Sequence, residues 1–153
     1  MTNSHRIQLS DALPEARKHL VRVTEAASKA ASDAGLSRAV TDLVRIRVSQ
    51  VNGCAYCTDT HSAEAIEAGE QPRRIFVLPV WRETELFTEQ ERAALELAEA
   101  MTELPEHREV SDEVYLRATK VLGEDAYVAV AWVATAMNAL NRLGVTSRKP
   151  LPA

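Results

Sequence analysis

The chain has 153 residues, 46% of them apolar, with 18 Lys and Arg against 22 Asp and Glu for a net charge of −4. That length suits one domain spanning residues 1–153 with a sizeable core, and the absence of any basic block argues against nucleic acid as the main partner. Five Gly and six Pro beside 24 Ala disfavour a β-sandwich or barrel, and two cysteines cannot staple a disulfide-rich secreted scaffold.

The first nine residues are polar around one apolar pair and lack a leader-like core, which points to the cytoplasm. Ser10 or Asp11 can cap a first helix that Gly35 stops, and Ser37 can cap a second carrying Val40, Leu43, Val44, Val48 and Val51 at helical spacing. Asn52-Gly53 is a breaker pair. A third helix is expected from close to Cys54 to Ala68, ending at Gly69, then a short turn opened by Pro72 and closed by Pro79. Thr88 and Glu91 form a capping box ahead of Ala94, Leu97, Ala98, Met101 and Leu104. Ser111 opens a helix that Gly123 ends, and a last helix is expected over about Asp125 to Leu143, stopped by Gly144. No run reads as a strand, so the expected class is all-α. Within the last helix, Ala126 to Met137 is apolar on nearly every side but shorter than the ~20 residues a bilayer crossing takes. It reads as a helix with no membrane around it, packed in part against a second copy of the chain.

Chemistry concentrates in one stretch, Asp42 to Gly69. Cys54 and Cys57 form a C-x-x-C with His61 four residues on. At about 100° per residue, these three side chains fall within about 60° of one another on one helix face. The stripe begins at a helix N-terminus, where unpaired N–H groups and the helix dipole favour a thiolate. His61 is placed to take the proton from Cys57 or to pair with its thiolate. If Asn52-Gly53 reverses the chain, Asp42 comes level with His61 and Glu64, where its carboxylate would orient the imidazole.

Blander readings use the same residues. Two helix thiols can be plain core, and Cys54, Cys57 and His61 are zinc-ligand types, although a structural zinc site wants four ligands and no second cluster exists. A structural disulfide between Cys54 and Cys57 would close too short a loop to constrain much. Asp42, among Arg38, Arg45 and Arg47, reads equally as a solvated charge. Trp81 is a core anchor or a lining residue of the site. His5, His19 and His107 sit in polar surroundings as surface residues, and Asn138, Asn141 and Arg142 close an apolar helix, where buried amides need partners.

The run "NGCAYCTDTHSAEAIEAGE", followed by "LPVWRET" and "NALNRLGV", resembles the AhpD-like alkylhydroperoxidase branch of the carboxymuconolactone decarboxylase family over about Leu36 to Val145. The resemblance implies an all-α fold in which a helical hairpin carries the site, assembled as trimers or hexamers. It also implies a thiol peroxidase that uses no cofactor or metal. Cys57 would be oxidised to a sulfenic acid, Cys54 would be the proton donor and resolving thiol, and His61 the relay histidine. Asp42 stands where the family usually has Glu, and Tyr56 stands where characterised AhpD enzymes have His. The implied partners are a small hydroperoxide and an external dithiol or lipoyl-type reductant. The alternatives are a redox-sensing or metal-binding module and a decarboxylase-like activity, the last a poorer match because decarboxylase members lack the C-x-x-C.

Overall fold

In the computed structural model, which describes residues 6–152, every regular element is helical. The first expected helix is two. Helix α1, Leu9–Ala12, ends at Leu13, and α2, Pro14–Asp33, starts afresh with Pro14 in its first turn. Proline lacks the N–H that would continue α1 and pushes the preceding residue out of the helical region, and Leu13 sits at φ −135°, ψ 72°.

Gly35, at φ +80°, lets the chain leave α2, with the Leu36 amide closing back on the Ala31 carbonyl at 2.9 Å. Helix α3, Arg38–Val51, is the innermost of the early helices. Val40, Val44 and Val48 face the main core, while Leu43 and Ile46 join Ile75, Leu78, Trp81, Phe87 and Leu95 in a second cluster. Burying each of these aliphatic side chains contributes about 1.5–3 kcal/mol. The chain then turns at Asn52-Gly53 into α4, Ala55–Glu67, which packs along α3 as the expected hairpin.

Helix α5, Pro72–Val77, runs directly into a 3-10 segment, Leu78–Glu83, so Pro79 opens a tighter turn instead of closing one. The capping box forms as expected at the start of α6, Glu89–Thr102: Thr88 Oγ1 accepts from the Glu91 amide and the Glu91 carboxylate accepts from the Thr88 amide. Leu104 falls outside α6, in the one-turn α7, Leu104–His107. Helix α8, Asp112–Leu122, is capped by Ser111 and ended by Gly123.

Helix α9, Glu124–Ser147, is longer than expected because Gly144 does not stop it. At 24 residues it is long and apolar enough to pass for a membrane span by length and composition. Its packing is that of a core helix: it lies against α2, α3, α6 and α8 and buries Ala126, Ala129, Val130, Val133, Ala134 and Met137. One stripe stays outside, with Val128 and Trp132 about half exposed a turn apart.

The amides that close α9 find their partner within the chain, at the α3–α4 bend. Asn52 Nδ2 donates to Asn138 Oδ1 at 2.9 Å and to Asn141 Oδ1 at 3.0 Å, and Asn141 Nδ2 donates to Ser49 Oγ at 3.1 Å. Asn138 Nδ2 continues the network to Thr102 Oγ1 on α6. These bonds clamp the bend that precedes Cys54 onto α9 and α6.

Candidate thiol active site

Cys54 is the N-cap of α4, with extended backbone at φ −86°, ψ 94°, and its sulfur accepts from the Cys57 amide at 3.3 Å. The first sulfur therefore occupies the place usually taken by a Ser or Asp oxygen, against the positive end of the helix. One turn on, Cys57 has its Cα 5.3 Å from that of Cys54, and the two are joined as a disulfide. The sulfurs differ in access. Cys54 is 2% exposed and lies behind, while Cys57 is 7% exposed and opens onto a cleft of about 420 Å³ between α2, α4 and the end of α9.

His61 lines the same cleft, as the four-residue spacing from Cys57 requires. Its Nδ1 lies 2.8 Å from Glu64 Oε2, a partner three residues further along α4. The expected contact between Asp42 and His61 does not form. Asp42 is buried, but its Oδ2 accepts from Arg38 Nε at 3.1 Å and its Oδ1 from Arg45 Nη1 at 3.0 Å. The reason is local: an acid with arginines at i−4 and i+3 is caught on its own helix face before it can reach across the hairpin. Glu64 takes the place assigned to Asp42. Asp42 still reaches the cleft at one remove, because Arg45, which it holds together with Ser28 Oγ, is part of the cleft wall.

Tyr56 lines the cleft, with Lys149 Nζ 3.9 Å above the centre of its ring. Trp81 does not. It is a buried anchor of the second cluster, and its Nε1 donates to Glu99 Oε1 at 2.9 Å. Burial pushes the Glu99 carboxyl up, but hydrogen bonds from Trp81, Arg82 and Arg47 outweigh it and hold the group below the usual carboxylate range. Glu99 is thus a charged strut under Trp81, away from the thiols. His19 and His107 are exposed, as expected, and His5 lies outside the described residues.

Four contributors were not singled out for the site from the sequence: Glu64, Arg45, Lys149 and Gly144. Gly144 is the closest to the chemistry. A Cβ placed there would stand 2.9 Å from Cys54 Sγ and 3.4 Å from Cys57 Sγ, so α9 can cross the sulfur pair only where a side chain is missing. The Asn138/Asn141 spacing was the available signal that this end of α9 docks on something polar.

Comparison with known proteins bears on the family and the fold. A model of the Carboxymuconolactone decarboxylase family matches residues 13–100, which contain α2, the hairpin and nearly all of α6. The Bacillus subtilis (strain 168) protein YdfG is 34% identical over 142 residues, covering 93% of each chain. The Escherichia coli (strain K12) protein YnjA is 34% identical over 70 residues, covering 46% of this chain and 38% of its own. Among solved structures, ATU0492 from Agrobacterium tumefaciens, a protein of unknown function with the provisional name antioxidant defence protein AhpD, superposes with a TM-score of 0.85 at 31% identity over 98% of this chain and 99% of that one. The debrominase Bmp8 shares the fold alone, at 21% identity and a TM-score of 0.70 over 77% of this chain and 62% of that one. With its helical hairpin, its cysteine pair and these matches over most of its length, the chain belongs to the carboxymuconolactone decarboxylase family, as an AhpD-like member.

Proposed function

We propose that the protein is a thiol peroxidase that reduces hydroperoxides through Cys57 and Cys54. The observation that carries this reading is the asymmetry of the pair: Cys57 faces a cleft shared with His61, and Cys54 lies behind it within disulfide reach. In the reaction, the Cys57 thiol gives its proton to His61 and the thiolate attacks the outer oxygen of the hydroperoxide. The S–O bond forms as the O–O bond breaks, and the leaving alkoxide takes the proton back from His61 to depart as the alcohol. The Cys57 sulfenic acid then meets the Cys54 thiol, the S–S bond forms, and water leaves. An external dithiol supplies two electrons and two protons to restore both thiols. Glu64 fixes the imidazole and stabilises its cationic form.

The reduced protein should lose two thiols per chain when peroxide is added. In Cys54→Ser, a sulfenic-acid probe should label Cys57, whereas Cys57→Ser should show no labelling. Labelling confined to Cys57→Ser would reverse the roles, and no labelling in either variant would remove the peroxidase reading.

In this proposal Asp42 acts through Arg45, as a positioning residue. Asp42→Asn and Arg45→Met remove the same tether, so each is expected to lower the second-order rate of Cys57 oxidation by roughly 3–10-fold, the kinetic equivalent of about 0.7–1.4 kcal/mol. The double variant should be no slower than Arg45→Met alone. Fully additive losses would mean that Asp42 contributes by a route that bypasses Arg45.

A metal-binding reading has less support, because among the described residues no three His, Cys, Asp or Glu side chains come together to hold an ion. Self-association belongs to the same proposal, supported by the apolar stripe of Val128 and Trp132 that α9 leaves uncovered. Light scattering at micromolar concentration is expected to give a mass that is a multiple of 16.9 kDa, and a mass of one chain would end this part of the proposal.

A further inference from the structure

The cleft in front of Cys57 is much larger than its smallest substrate needs. Hydrogen peroxide occupies little more than a water molecule, whose share of the liquid is about 30 Å³. The cleft holds about 420 Å³, the range of an organic ligand. Its inner wall is apolar, built from Val21 of α2 and Met137 and Leu140 of α9.

The charges around it are unevenly committed. Arg45 is taken up by Asp42, and Glu64 by His61. Arg17, Glu25 and Lys149 also face the cleft, and among the described residues none of the three has an ion-pair partner within 4.0 Å. Arg17 and Lys149 are therefore the cations of the cleft left to meet an anion. Arg17 and Glu25 stand eight residues apart, about 12 Å along α2, too far to neutralise each other directly. Lys149 is the best placed of the cations, held over the ring of Tyr56, the neighbour of Cys57 in the chain. Its ammonium keeps donors free for an anion while the ring fixes its position.

The geometry points to an organic hydroperoxide that carries a carboxylate as the preferred substrate, its apolar body on Val21, Met137 and Leu140 and its carboxylate on Lys149. This rests on the peroxidase reading, since the hydroperoxide end must reach Cys57. The redox step is unchanged: the hydroperoxide is reduced to the hydroxy acid as Cys57 is oxidised to the sulfenic acid.

The test compares ω-hydroperoxynonanoic acid with its methyl ester as oxidants of the fully reduced protein, following the second-order rate of Cys57 oxidation. In the parent the acid should react roughly 10-fold faster than the ester, the equivalent of one charge-assisted hydrogen bond. The acid-to-ester ratio should fall toward one in Lys149→Met and be retained in Lys149→Arg. Added sodium chloride should lower the parent's ratio as well, by screening the same contact. A ratio near one in the parent, or a ratio that neither Lys149→Met nor salt changes, overturns the carboxylate assignment and leaves the peroxidase reading in place. Failure of both compounds to oxidise Cys57 overturns the peroxidase reading and this one with it.

Discussion

Replacing Gly144 with alanine is expected to drive the Cys54–Cys57 pair toward its dithiol form. The new Cβ would stand 2.9 Å from Cys54 Sγ, well inside ordinary contact distance, and the S–S bond denies the linked sulfurs an independent change of rotamer. Two free thiols can each turn to another rotamer, so the cost falls chiefly on the oxidised state. Overpacking of this kind costs about 1–3 kcal/mol, which corresponds to a shift of roughly 5- to 150-fold in the thiol–disulfide equilibrium. Helix propensity works the other way, since alanine in a helix interior is favoured over glycine by about 1 kcal/mol. A more reducible pair in a protein whose reduced form is no less stable would therefore isolate the steric effect. Equilibration of parent and variant against dithiol buffers of known ratio is the measurement. Equal midpoints would mean that α9 shifts to make room.

The second large effect is expected at Asn141, which is fully buried and joins α9 to the hairpin through Asn52 and Ser49. Asn141→Ala removes an acceptor from Asn52 and a donor from Ser49 and leaves a small void. Together these should cost about 2–4 kcal/mol of stability, read as a lower urea midpoint with an unchanged slope. Asn52→Ala should cost less, because Asn138 keeps its bond to Thr102, and the two losses should not add. A loss under about 1 kcal/mol for Asn141→Ala would show that water replaces the network at little cost.

Much of the fold was legible because its punctuation is local. The Thr88–Glu91 box, the Ser111 cap and the glycines at positions 35, 69 and 123 act on residues within one turn of themselves, and each helix end they mark lies where expected. Pro14 acts just as locally, but apolar spacing runs on across it, and only its missing N–H separates α1 from α2. The Cys54, Cys57 and His61 stripe was legible for a related reason: Cys57 and His61 share one helix and Cys54 caps it, so spacing alone brings them together. What spacing could not decide is where a side chain goes when partners compete. Asp42 lies level with α4 yet turns to Arg38 and Arg45 on its own helix, and Glu64 takes His61. Gly144 and Lys149 come to the sulfurs from about 90 residues away, and no local pattern marks such an approach.

The position of α9 across the hairpin divides labour along the chain. The α3–α4 hairpin holds the sulfurs and the imidazole, whereas Val21, Met137, Leu140 and Lys149, on other segments, shape what can approach them. Val21, Met137 and Leu140 carry no group that takes up or gives a proton. Exchanging them would retune the choice of reactant while the reactive turn stays as it is. A protein built this way can change its diet without relearning its chemistry.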